Sequence, residues 1–274
     1  MKFLLSSSAA ALAITFSGAA LAQAPEWTGG YIGAQAGYGF KAENDDETVV
    51  FDTDLNGSFG DAVRTTTGAN AFSPGFCEGR ALGATPAADC QTRDRGFEFG
   101  ARAGYDMQLG SFVVGVVGEV SRTNVHDAIS AFSTTPASYT MERELNALAA
   151  VRLRGGFALG RTLAYATGGY AKGQVDRRFR TSNTANSFAA TTNDDWVDGW
   201  QLGAGLEHKI TNDVSLGLEY LLTELEDDGY TVRAGGPVPA TNPFVLTNPA
   251  GTNFQRTEDD LKIHAVRVTA AYRF

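Results

Sequence analysis

Apolar and polar residues alternate with a period of two through eight stretches of the chain, the spacing of a strand with one greasy and one wet face. The pattern is cleanest at the C-terminal end. There Val266, Val268, Ala270, Tyr272 and Phe274 alternate with Ala265, Arg267, Thr269, Ala271 and Arg273. The stretch WTGGYIGAQAGYGF from Trp27 sets Ile32, Ala34, Ala36, Tyr38 and Phe40 against Tyr31, Gly33, Gln35 and Gly37. Arg95 to Gln108 points Phe97, Phe99, Ala101, Ala103, Tyr105 and Met107 outward and Glu98, Arg102 and Asp106 inward. Phe112 to Ser121 turns Val114, Val116 and Val120 outward and Glu119 inward. Glu142 to Phe157 is expected to face Leu145, Ala147, Ala149, Val151 and Leu153 outward and Arg152 and Arg154 inward. For Thr162 to Val175 the expectation is Leu163, Tyr165 and Val175 out, with Tyr170, Lys172 and Gln174 in. Trp196 to Lys209 opposes Trp200, Leu202, Ala204 and Leu206 to Gln201 and Glu207. In the stretch from Val214, Leu216, Leu218, Tyr220 and Leu222 oppose Ser215, Gly217, Glu219 and Thr223.

The connections have a rhythm. Tight turns are predicted at Leu109-Gly110-Ser111, near Gly160 and at Thr211-Asn212-Asp213. Between them lie long polar segments: 41–94, about twenty residues after Ser121, 176–195 and 226–258. Long loops alternating with short turns are what a strand meander inserted in an outer membrane gives. The predicted fold is all-β, an eight-stranded antiparallel up-and-down transmembrane β-barrel with long outer loops and short periplasmic turns. A secreted lipocalin-like barrel would place the apolar set inside instead. The charges Arg102, Asp106, Glu119, Arg152, Arg154, Glu207, Glu219 and Arg267 on the other face, together with the aromatic C-terminal strand, favour the membrane form.

Residues 1–22 read as a secretory signal: Lys2, a short apolar run from Phe3 to Phe16, and the small-x-small site Ala20-Leu21-Ala22. The barrel domain is then 23–274, and no later stretch approaches the roughly 20 apolar residues of a spanning helix. A formal net charge of −9 offers no basic surface for nucleic acid. Cys77 and Cys90, exported and close in sequence, are expected to form one disulfide in the first outer loop, outside the strands.

The stretches WTGGYIGAQAGYGF, VRLRGGFALGRTLAYATGGYAKG, GWQLGAGLEHKITNDVSLGLEYLLTE and HAVRVTAAYRF resemble the small outer-membrane β-barrel proteins of alphaproteobacteria. That group is related to the OmpA transmembrane domain and the opacity-type porin family. The resemblance covers Trp27 to Phe274 and departs in the long, cysteine-bearing first loop. It implies an envelope-stabilising or surface-interaction barrel in the outer membrane. It further implies that Tyr272 and Phe274 form an assembly signal read by the barrel-assembly machinery. Lipid and lipopolysaccharide are the implied surroundings, with a host or surface ligand reached through the outer loops.

The inward charges are the candidate site. An eight-stranded barrel is just wide enough for side chains to fill it, and buried charges must be paired. Arg102, Arg152, Arg154 and Arg267 are therefore expected to meet Glu119, Glu207 and Glu219 across the lumen. Trp27, Trp196, Trp200, Tyr38, Tyr105, Tyr165, Tyr220, Tyr272 and Phe274 are candidates for the interfacial girdles. The acidic pairs Asp45-Asp46, Asp194-Asp195, Asp227-Asp228 and Asp259-Asp260 lack EF-hand spacing and read as solvated loop charge. His126, His208 and His264 are scattered, with no HExxH or triad spacing, and a loop histidine such as His126 makes only a weak case for haem ligation, so no catalytic residue, metal or cofactor is assigned. The expected function is a structural or surface-interaction barrel with a lumen largely filled by paired charges. The alternatives are a porin-like channel for small solutes, or a haemin-binding or adhesin surface protein.

Overall fold

The structure is a computed structural model. It describes residues 26–41, 47–92, 95–191, 194–227, 229–258 and 260–274, with the side chains of 194 and 195 left aside. The expected signal sequence, 1–22, and the Asp45-Asp46 pair lie outside the described residues.

Eight long strands form one ring: β1 Gly29–Lys41, β2 Arg95–Leu109, β3 Phe112–Ser133, β4 Ala137–Leu159, β5 Thr162–Thr181, β6 Asp194–Lys209, β7 Val214–Glu226 and β8 Asp260–Arg273. Each pairs antiparallel with its sequence neighbour, and β8 returns to β1 through pairs from Tyr31↔Arg273 to Lys41↔Ile263. Full closure leaves these strands no sheet edge. The tight turns fall where the spacing predicts them, with Gly110 (φ 66°) and Gly160 (φ 60°) in the left-handed region that a two-residue hairpin requires.

The outward face is apolar along the membrane band. Ile32, Phe99, Val116, Val151, Leu153, Leu202, Leu206, Leu218 and Val268 are all exposed to the surroundings rather than packed inside. That is the inverse of a soluble barrel. Tyr38, Tyr105, Trp196, Trp200, Tyr220, Tyr272 and Phe274 are exposed on this wall. Trp27 and Tyr165, expected in the girdles, are buried inside instead. Trp27 closes the turn-side mouth beneath Arg273 (4.8 Å from guanidinium to ring), and Tyr165 lies under Arg154 (4.3 Å).

Two facing expectations are reversed. On β5, Leu163, Tyr165 and Val175 point inward, while Tyr170 is exposed and Lys172 and Gln174 share its outward row. Both faces of this strand carry small or apolar residues, so a period of two gives the alternation but not its sign. The hydroxyl of Tyr165, donating to Glu219 at 3.0 Å, ties its face to the lumen. On β4, Leu145 is buried, because a register irregularity between Leu145 and Ala147 exchanges the two faces there.

The expected twenty-residue loop after Ser121 is a three-residue turn, 134–136, between strands that run far beyond the membrane band. Past Arg122 the outward residues Asn124 and His126 are polar, while the inward row holds Val125, Ile129 and Ala131 around the buried Asp127. The strand leaves the lipid without ending. Over the projecting barrel the other long segments fold into a cap. Val49–Asp52, Thr252–Arg256, Val232–Gly235 and Ser187–Ala190 make a four-stranded sheet. Phe51, Phe72, Tyr139, Phe244 and Phe254 pack beneath it with ring centroids 4.4–6.4 Å apart. Cys77 and Cys90 are disulfide-bonded. Contrary to expectation both lie in short strands: Gly75–Glu78 pairs with β3 from Ile129 to Phe132, and Cys90–Gln91 pairs with Arg80–Ala81.

Candidate functional site

The strand registers bring the inward charges into tiers. In the middle tier Arg102 and Glu119 are direct cross-strand partners, as are Glu219 and Arg267. Arg267 donates to Glu98 (2.7 Å), Glu119 (2.7 Å) and Glu219 (2.8 Å), and is 1% exposed. Arg152 donates to Glu119 at 2.7 Å and lies 3.4 Å from Glu219. Arg102 reaches Glu219 at 3.1 Å and Glu119 at 3.3 Å. Three guanidiniums thus face three carboxylates, and Ser121 and Tyr165 add hydroxyl donors to Glu98 and Glu219. Long arginine and glutamate chains span the narrow interior, and their mutual pairing offsets the cost of removing them from water.

Toward the turn-side mouth, Arg154 donates to Glu207 at 2.8 Å and Arg273 to Glu207 at 2.9 Å, and Arg273 is ion-paired with Asp106 at 2.8 Å. Tyr31 is sandwiched by these two guanidiniums, at 5.6 and 4.7 Å from its ring. Of the seven charges predicted for the lumen, five therefore meet in the middle tier, and Arg154 and Glu207 meet in this lower one.

Above the middle tier Val125, Leu145, Leu148, Ala150, Ala171, Val175, Val197, Leu225, Leu261 and Ile263 form an apolar layer. Over it, beyond the apolar outer band, lies a third tier. Asp127 receives Arg143 (2.6 Å), Arg256 (2.6 Å) and Lys41 (3.0 Å). Glu47 binds Lys41 at 2.8 Å, and Asp227 binds Arg177 at 2.5 Å. Burial alone would raise the Asp127 carboxyl, but Arg256, Arg143 and Lys41 outweigh it and hold the group well below the usual carboxylate range. In the cap, burial pushes the Tyr230 hydroxyl up to about 12.

Glu98 and Arg273 joined the network unassigned by sequence, and the third tier was missed entirely. A signal existed: Asp127 and Arg143 sit opposite each other in register once the strands continue past Ser121. The histidines stay apart, His126 beside Glu144, His208 beside Thr162 and His264 beside Tyr220. Asp52, Asp54 and Asp61 cluster in the cap, where the Asp52 carboxylate accepts backbone N–H groups of Asn56 and Gly57.

Comparison with known proteins agrees with this architecture. The family described as "Outer membrane protein beta-barrel domain" matches residues 8–274. The 31 kDa outer-membrane immunogenic protein of Brucella melitensis is 30% identical over 251 residues, covering 90% of this chain and 84% of the relative. Among solved structures, OprG from Pseudomonas aeruginosa aligns with a TM-score of 0.49 at 11% identity, over 91% of this chain and 98% of that one. OmpT from Escherichia coli, an outer membrane protease, aligns with a TM-score of 0.41 at 8% identity, over 89% and 97%. A closed eight-strand ring with a lipid-facing apolar wall, matched by the family over nearly its whole length, places this chain in the outer membrane as a member of the outer membrane β-barrel protein family.

Proposed function

We propose that the protein is a non-enzymatic structural and surface-interaction barrel, closed to solutes and presenting its folded cap as a rigid outer surface. The observation that carries this reading is the middle tier. Arg102, Arg152, Arg267, Glu98, Glu119 and Glu219 are all buried and mutually bonded across the interior, where a water-filled path would have to run. The apolar layer and the aromatic cap above it oppose ion passage further, since each would have to be dewetted or displaced.

Planar-bilayer recording of the refolded protein tests it. No conductance above the lipid background is expected. Stepwise openings whose ion selectivity changes with Glu219→Gln would replace this reading with the porin-like one.

Assembly is the second part of the proposal. Phe274 is exposed at the turn-side rim, with its backbone N–H on Gly30 O at 3.0 Å, and Tyr272 is exposed beside it. A terminal aromatic so displayed suits recognition by assembly machinery before the ring closes. Deleting Phe274 should lower the amount of folded protein in outer-membrane fractions several-fold. Normal levels would remove that role.

A further inference from the structure

We propose that the outer tip of the cap is a binding site for a neutral saccharide, seating one uncharged pyranose ring in a cup where the four outer connections converge. The proposal rests on the surface-interaction reading and names the chemistry of its partner. The cup has a volume of about 260 Å³ and draws on the segment before β2, the 134–136 turn, the β5–β6 connection and the β7–β8 connection. That is below the roughly 300–1,000 Å³ of sites for drug-sized ligands and suits a single ring.

Phe72, Tyr139 and Phe244 form the floor, each at most 4% exposed and locked together with ring centroids 5.2–5.9 Å apart. Asn183, Asn186 and Asn242 form one wall. Asn183 Nδ2 donates to the Tyr139 hydroxyl at 2.9 Å and to Asn186 Oδ1 at 3.1 Å, and Asn242 Nδ2 donates to Asn186 Oδ1 at 3.2 Å. The backbone N–H groups of Ala185 and Phe244 hold the Asn183 and Asn242 carbonyl oxygens, at 2.8 and 3.0 Å. These carboxamides are fixed before a ligand arrives, so binding costs little side-chain ordering. A carboxamide has two N–H donors, and that of Asn242 uses one of them within the protein. Thr134, Thr135 and Thr184 are exposed at the lip, and among the described residues their hydroxyls have no hydrogen-bond partner. Spare polar groups thus ring an apolar floor.

Charge selects the ligand. None of the residues lining the cup is an acid, a base or a histidine, in a chain whose formal net charge is −9. The segment TSNTANS, 181–187, is uncharged throughout. A phosphate, sulfate, carboxylate or ammonium group entering here would lose water without meeting a counter-ion. A purely apolar group would cover the floor but leave amide and hydroxyl groups unpaired. A pyranose meets both demands. Its C–H face rests on the aromatic floor, while its hydroxyls, each a donor and an acceptor, reach the carboxamides and threonines.

The test uses the full refolded protein in a detergent without a sugar headgroup, with alanine methyls isotope-labelled for NMR. The probes are the methyl glycosides of glucose, galactose, mannose and N-acetylglucosamine. At least one should bind with a dissociation constant on the order of 1–10 mM, as expected for about a dozen heavy atoms. It should shift the methyls of Ala71, Ala137 and Ala185, which line the cup. The 6-carboxylate or 6-phosphate form of that sugar should bind at least about tenfold more weakly. Thr135→Leu combined with Thr184→Leu, which narrows the lip and removes two hydroxyls, should cost about tenfold in affinity. Ala185→Leu alone should also weaken binding. Thr66→Leu, exposed on the 65–68 turn outside the cup, should change nothing. Heat-modifiable electrophoretic mobility checks that each variant folds. No saturable shift from any neutral glycoside, equal binding of the charged form, or unchanged affinity in either folded lip variant would overturn the proposal. Those results would leave the closed barrel standing, because conductance judges the lumen separately. Bilayer openings that persist with the sugar bound would remove the closed reading and keep this one.

Discussion

Glu219→Ala should lower the stability of the detergent-refolded barrel by about 3–5 kcal/mol, read as a shift of the urea midpoint, because three buried guanidiniums lose a shared acceptor. Glu219 accepts from Arg267, Arg152 and Arg102, and from the Tyr165 hydroxyl. After the substitution, Arg267 and Arg152 keep Glu119, and Arg267 keeps Glu98. Arg102 keeps only the longer contact to Glu119, at 3.3 Å. The middle tier is then left with an excess positive charge that water cannot reach. Arg102→Ala in the same chain should therefore restore part of the loss, while costing stability when made alone. A double variant whose loss equals the sum of the singles would mean that the charges are separately hydrated, and the closed-lumen reading would go with it.

How much of this was visible before the structure depends on what each residue had to decide. Ring closure, strand number and tight turns follow from alternation plus Gly110 and Gly160, which are local signals. Arg102, Glu119, Glu219 and Arg267 were legible because each sits on the polar face of a strand whose other face is plainly apolar. β5 was not, since Leu163 and Tyr165 are as greasy as Ala164 and Ala166, and only contact with Glu219 across the lumen decides between them. The cap was illegible for a different reason. Its core draws Phe51, Phe72, Tyr139, Phe244 and Phe254 from segments as much as 203 residues apart. No window along the chain contains enough of them to show a period. The third charge tier shared that fate: Glu47 and Arg256 meet only because Val49–Asp52 pairs with Thr252–Arg256. Outward polarity past Arg122 marks the end of the lipid and not of the strand, which runs on to Ser133.

Leu218→Arg, one residue from Glu219 and on the opposite face, should cost about 2–4 kcal/mol in a lipid bilayer, where a charge at the midplane has no water. Leu218 pairs with Leu206 on β6 and Val268 on β8, and all three are exposed on the apolar wall. Leu222→Arg, four residues farther out and opposite Leu202 and His264, should cost less, because the penalty falls toward the interface. Leu218→Phe supplies the control for shape. The inward neighbour Gly217 is unsuitable: a Cβ there would stand 2.6 Å from Thr269 Oγ1 and 3.1 Å from Leu206 O, so even serine meets a packed wall. Both arginine variants should refold in neutral detergent more readily than in bilayers, since a micelle lets the guanidinium reach water. Equal costs at 218 and 222, or equal behaviour in detergent and bilayer, would mean that Leu218 does not face lipid at depth, and the outward set of β7 would have to be reassigned.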